Sequence, residues 1–229
     1  MGALHVFRRQ WEMADAEFNE AMAIQSYETR DHGGYGHYLL GRGEYEKASE
    51  LVGMYTREYG DDVIFLRRAA LYLYHMRRYA EADKILHEIS ELDKNLWLVD
   101  ALRVFICLAV GKPKQALSHM RRIKPLTGLD LWPGLHILCL AEAGNLNEAR
   151  AKFKALEIEA REHYVQPLQM ALGCMALAKP VKAIEWLSRG CDEFEPLLLW
   201  LHLWPVFDPL RKHTEFVRLI KRIGLPKGV

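Results

Sequence analysis

Apolar side chains recur along this 229-residue chain in short helical stripes, and each stripe is opened by a similar six-residue segment. The segments are Arg9-Gln10-Trp11-Glu12-Met13-Ala14, Gly43-Glu44-Tyr45-Glu46-Lys47-Ala48 and Arg77-Arg78-Tyr79-Ala80-Glu81-Ala82. They continue with Gly111-Lys112-Pro113-Lys114-Gln115-Ala116, Gly144-Asn145-Leu146-Asn147-Glu148-Ala149 and Ala178-Lys179-Pro180-Val181-Lys182-Ala183. Their closing alanines are 34, 34, 34, 33 and 34 residues apart. The third residue of each segment is aromatic, apolar or proline, a set that suits the first position of a helix. The alanine is small, as a close helix crossing requires. Four residues on stand Phe18, Val52, Leu86, Met120, Phe153 and Leu187, and an i, i+4 pair of this kind marks one buried helix face. Twelve and nine residues before the alanine, Gly36/Leu39, Ala70/Leu73, Val104/Cys107, Ile137/Leu140 and Ala171/Cys174 give the preceding helix a stripe of its own. The pattern predicts an all-α chain of antiparallel helix pairs, one pair per period.

The two ends depart from the period. Only ten residues precede Trp11, too few for a full first helix. At the other end, Asp192 to Pro205 is expected to add one more first-type helix carrying Leu197, Leu198, Leu201 and Trp204. A last helix is expected from Leu210 to Ile223, opened by Asp208-Pro209 and closed by Gly224 and Pro226. Phe216, Leu219, Ile220 and Ile223 form its apolar stripe, with Arg211, Lys212, Arg218, Lys221 and Arg222 mostly elsewhere, as in a helix that caps an open core.

With this period and the second-helix pattern, the chain resembles the tetratricopeptide repeat (TPR) family over nearly its whole length. Asp100, Pro133 and Pro167 stand where the family usually has a tryptophan. The resemblance implies a right-handed α-solenoid of about six helix-turn-helix repeats with a C-terminal capping helix. In this single domain, 1–28 is a truncated first repeat, 29–197 five full repeats, and 198–229 a degenerate terminal repeat and cap. The ending Pro205-Val206-Phe207-Asp208-Pro209-Leu210-Arg211, then Phe216 and Gly224-Leu225-Pro226, is similar to that of one bacterial TPR subgroup. There the array follows a CadC-like winged-helix domain, a class III adenylate cyclase domain or a Ser/Thr kinase domain, none of which lies in this chain. The resemblance thus implies the sensor or interaction part of a bacterial signalling or transcriptional regulator. A free-standing adaptor and a self-association module, with a second copy as partner, are the alternatives.

In this family the first helix of each pair lines a concave groove. Residue by residue, that places Arg30 and His37 from the second unit in the groove. The third unit supplies Ile64, Arg67, Arg68, Leu71, Tyr74 and His75, and the fourth Leu98, Ala101, Leu102 and Phe105. The fifth and sixth supply Leu131, Leu135, Leu138, Leu168, Gln169 and Leu172. Two arrangements are compatible with this set. In one, the apolar groove takes an amphipathic helix or extended peptide whose carboxylates pair with Arg67 and Arg68. In the other, the superhelix is tight and the leucines pack against neighbouring first helices and the Leu197–Trp204 segment. The family's carboxylate-clamp lysine and asparagine set is absent.

Composition narrows the chemistry. Thirty-one Lys and Arg against thirty Asp and Glu give a net charge of +1, which offers no global field for nucleic acid or an anionic membrane. The local basic residues Arg121, Arg122 and Lys124 suit solvated helix ends. The most apolar run, Leu197 to Phe207, is eleven residues and falls short of the roughly twenty a spanning helix needs. Cys107, Cys139, Cys174 and Cys191 have no CxxC spacing, and a reduced, cytoplasmic protein is expected. No phosphate loop, GxSxG elbow or HExxH can be written, and no enzyme activity, cofactor or metal is expected. His75, His87, His119, His163 and His213 stand beside charged residues and are expected at the surface, whereas His136 and His202 fall on apolar stretches. Asp61-Asp62 is expected to cap the helix that begins at Val63.

Overall fold

The computed structural model describes residues 2–23, 34–93, 96–127 and 131–226, and among these there is no strand. The helices are α1 (Gly2–Phe7), α2 (Trp11–Ala23), α3 (Gly34–Arg42), α4 (Tyr45–Glu58), α5 (Val63–His75), α6 (Tyr79–Leu92) and α7 (Trp97–Ala109). They continue with α8 (Pro113–Thr127), α9 (Pro133–Glu142), α10 (Leu146–Glu162), α11 (Pro167–Ala176), α12 (Pro180–Asp192) and α13 (Thr214–Ile223). Two 3₁₀ segments, Pro196–Leu203 and Pro205–Lys212, lie between α12 and α13. Packing runs in chain order. Each odd-numbered helix from α1 to α11 pairs with the next, and from α4 onward each pair leans on the following one through α4–α5, α6–α7, α8–α9 and α10–α11.

The hydrophobic period explains these elements position by position. α2, α4, α6, α8, α10 and α12 begin at Trp11, Tyr45, Tyr79, Pro113, Leu146 and Pro180, the third residues of the six segments. All six closing alanines are fully buried, and the large apolar residues one turn later are buried too. The join inside each pair is also common to all six. Arg9, Gly43, Arg77, Gly111, Gly144 and Ala178 have positive φ, between 51° and 90°. Each donates its N–H to the carbonyl three residues back, and its successor donates to the carbonyl five residues back, as in Gly43 N to Leu40 O (3.2 Å) and Glu44 N to Leu39 O (2.9 Å). This is the Schellman closure, which satisfies two end carbonyls and reverses the chain. Glycine takes the left-handed conformation freely, whereas a side chain there costs roughly 1–2 kcal/mol.

The three departures from the tryptophan position have separate reasons. Pro133 and Pro167 open α9 and α11, where a missing N–H leaves nothing unsatisfied. Next to Pro133, a Cβ on Gly134 would lie 1.9 Å from the Gln169 carbonyl oxygen, so glycine is what lets α9 approach α11. Asp100 is buried in α7, where His119 Nδ1 (2.7 Å) and Arg122 Nε (3.3 Å) of α8 meet its two oxygens. Arg122 is therefore tied to a buried carboxylate rather than being only a solvated helix end. Asp62 caps α5 as expected, its Oδ1 accepting from Ile64 N at 2.8 Å.

The C-terminal region departs from expectation. Residues 196–212 form no regular α-helix, and the last helix starts at Thr214 rather than Leu210. Pro196, Pro205 and Pro209 remove backbone donors at short intervals, so only short, tight turns form between them. This strap, 196–212, runs back across the odd-numbered helices, and α13 packs on α12. Gly224 closes α13 in the left-handed conformation, as its position at the end of the stripe predicts. The two ends of the array meet: Arg9 Nη1 donates to Cys191 O (2.8 Å) and Trp11 Nε1 to Ile223 O (3.0 Å). Among the described residues no helix is long and apolar enough to cross a membrane.

Candidate functional site

The odd-numbered helices α5, α7, α9 and α11 turn their equivalent positions toward one another, and the strap lies over them. Trp200 Nε1 donates to the His37 carbonyl (3.1 Å), and its ring lies 4.6 Å from the His37 ring. His202 Nε2 donates to Leu40 O (3.3 Å). Further on, Arg77 grips Asp208 with both terminal nitrogens (2.8 and 2.7 Å), while Arg211 binds Asp208 Oδ1 (2.7 Å) and the His202 carbonyl (2.6 Å). Burial pulls the Asp208 carboxyl up, but the Arg77 and Arg211 guanidiniums together hold it below the usual carboxylate range.

Under the strap lies a cavity of about 230 Å³. Of the groove residues expected from the sequence, it brings together Arg67, Leu71, Tyr74, His75, Leu102, Phe105, Leu135, Gln169 and Leu172, with Leu98, Ala101 and Leu168. Leu197, Trp200 and Trp204 of the strap and Trp132, which precedes α9, complete the wall. Six expected residues stand apart from it, among them Leu131 and Ile64, which is exposed. His37 lies behind Trp200, Arg68 sits over the Phe65 ring at 5.5 Å, Leu138 faces the neighbouring groove, and Arg30 falls outside the described residues. Trp132 and Trp200 were not expected. Trp132 sits outside the helical period, and Trp200 is one apolar residue among many in its run.

The wall contains no Asp or Glu. Arg67 is half-buried on α5, and burial, with the Arg68 guanidinium beside it, pulls its pKa down. No carboxylate among the described residues pairs with it. His75 corrects the sequence expectation: it is buried, because the strap covers the last turn of α5. Burial, with His37 and His202 nearby, pushes its pKa down to about 3, so it is neutral at neutral pH. His202 is likewise held down to about 4 by burial, despite its bond to Leu40. Gln169 accepts from Gly134 N (3.1 Å) through Oε1. Buried without hydrogen-bond partners are His75 Nδ1, His202 Nδ1 and Trp204 Nε1.

Beside the cavity, and sharing Tyr74, Phe105, Leu135 and Leu172 with it, is a larger groove of about 680 Å³. Phe105, Leu138 and Leu172 occupy one equivalent position in successive pairs, and Tyr74, Leu108 and Met175 another. Arg77 with Asp208 lies along its edge, as do Glu142 and Lys179. At the start of the strap, Glu195 Oε2 accepts from Leu168 N (3.0 Å), capping α11. Its other oxygen is buried without a partner, and burial raises the carboxyl to about 7. All four cysteines are free and buried, and burial pushes each thiol above its usual pKa. Among the described residues no cluster of three or more His, Cys, Asp or Glu side chains is placed to hold a metal. Comparisons of the chain with family models, with curated proteins and with solved structures find no match.

Proposed function

We propose that the chain is a non-catalytic recognition module: a right-handed solenoid of about six TPR-like repeats closed by a capping helix. It serves as the sensor or protein-interaction part of a bacterial signalling or transcriptional regulator. The architecture is supported by six equivalent Schellman turns and six fully buried alanines. The observation that carries the function is the open groove, where equivalent positions of successive pairs set an apolar stripe of Phe105, Leu138, Leu172, Leu108 and Met175. Such a stripe accepts the apolar face of an amphipathic helix or extended peptide. The strap packs over the Arg67 side of the helix pairs, and the peptide is expected on the Leu108–Met175 side of the groove.

The test uses wild type and the Leu108→Glu/Met175→Glu pair as baits in native lysate of a bacterium encoding the chain. Both replaced residues are half-buried, so helicity by circular dichroism is expected to persist. The reading expects a partner retained by wild type and lost from the variant. Retention by both places recognition elsewhere on the chain. No partner, together with dimers by light scattering, replaces the reading with self-association.

A further inference from the structure

The cavity lined by the strap has features that peptide recognition in the neighbouring, larger groove leaves unused. We propose that it is a separate site for a small amphipathic carboxylate, an acid with one ring or short alkyl body, whose carboxylate pairs with Arg67.

The first argument is internal to the repeat. The position of Arg67 in its helix pair is filled by Ala101, Gly134 and Leu168 in the next three pairs. Packing therefore asks for a small or apolar residue there, and a guanidinium departs from the pattern without a structural reason. The second argument is charge. Arg67 lies half-buried in a wall without Asp or Glu and has no carboxylate partner among the described residues. A partly desolvated cation in such a place favours an anionic ligand, which supplies the missing counter-charge and hydrogen-bond acceptors. His75, whose imidazole also lines the wall, is neutral at neutral pH and leaves Arg67 as the cation of the wall. Gln169 uses its carbonyl on Gly134 N, so its amide N–H₂ remains as a second donor from the opposite side of the array.

Size and lining define the rest of the ligand. An apolar cavity of about 150 Å³ takes a benzene ring. At about 230 Å³ there is room for a ring with a short acid arm, against Leu102, Phe105, Trp132 and Trp200. The strap contributes Leu197, Trp200 and Trp204 to the wall, and the small volume suits a free small molecule rather than a polypeptide.

The experiment is calorimetric titration of the full chain with three probes of one shape: phenylpropionate, its amide, and phenylpropylamine. The acid is expected to bind about tenfold or more tightly than the amide, in line with a charged hydrogen bond in a partly buried site, and the amine not at all. Arg67→Met should bring the acid down to the affinity of the amide, with an unchanged melting temperature. Ala101→Leu, which fills the cavity, should abolish binding of both. Equal affinity for acid and amide, acid binding unaffected in Arg67→Met, or no binding of any probe overturns the proposal. None of these outcomes touches the open-groove reading, which depends on Leu108 and Met175. Conversely, loss of the protein partner leaves this titration intact.

Discussion

The six helix pairs and the strap are built on opposite principles. Each pair solves the same problem locally: an apolar or proline start, a buried alanine, a large residue one turn on, and a left-handed closing turn. The strap has no local rule of its own. Its prolines forbid a long helix, and its shape is set by partners far away in the chain, such as His37 for Trp200, Leu40 for His202 and Arg77 for Asp208. The comparison teaches where strain is kept. Among the six turns, the left-handed position is held by glycine three times and by Arg9, Arg77 and Ala178 otherwise. The two arginines are the residues that tie down the C-terminal region, through Cys191 and Asp208. Their cost is offset by long-range contacts, whereas the exposed Ala178 has no comparable tie.

The contrast can be broken most forcefully at Trp200. Trp200→Ala removes a buried ring and its hydrogen bond and should cost about 3–5 kcal/mol. Amide exchange is expected to accelerate in 196–212 and around His37 while the pairs α9–α12 stay protected. Uniform acceleration would show that strap and array are one cooperative unit. Next in size, Ala82→Trp overpacks the α5–α6 crossing and should cost about 3 kcal/mol, read as a lower melting temperature. Unchanged melting would contradict the register of the repeat.

Titration sharpens the comparison, because buried groups of shifted pKa cluster at the strap. His75 and His202 titrate below their ordinary 6.5, so their contribution is present above about 6.5 and is lost as pH falls toward about 4 and about 3. Glu195 is raised to about 7, so its contribution is present below the ordinary 4.5 and is lost as pH rises through about 7. Melting of wild type should therefore decline on both sides, and Glu195→Gln should remove the decline between about pH 4.5 and about 7, leaving any decline at higher pH to the buried thiols. An unchanged decline between about pH 4.5 and about 7 in that variant would contradict the buried setting of Glu195. The smallest effect concerns the turns. Ala178→Gly relieves the left-handed strain and should stabilise by about 0.5 kcal/mol after the extra entropy of the unfolded glycine. Arg77→Gly relieves the same strain but loses Asp208, and should show no gain. Equal gains in chemical denaturation would remove the tethering role.

Legibility in the sequence follows the same division. Tyr79, Ala82 and Leu86 announce a helix start, a crossing and a buried face because those requirements lie within one turn or two of each other. The family resemblance groups Leu71, Phe105 and Leu172 on facing helices, and the structure brings the three to one cavity. Arg68 is one residue from Arg67, yet it stacks on Phe65 outside the cavity, a difference that spacing does not resolve. His75 reads as exposed from its neighbours Arg77 and Arg78, and is buried by Trp200, a residue distant in sequence. The apolar run Leu197–Phe207 reads as helix because every position suits a core, while its fate is decided by prolines and by carbonyls of α3.

The central claim is that the strap packs across the odd-numbered helices. Nuclear Overhauser spectroscopy on the full chain tests it most directly, through the Trp200 and His37 rings, whose centroids lie 4.6 Å apart. The account predicts cross-peaks between the two rings and a slowly exchanging Trp200 indole N–H. A Trp200 indole that exchanges like free tryptophan and shows no contact with His37 would contradict it.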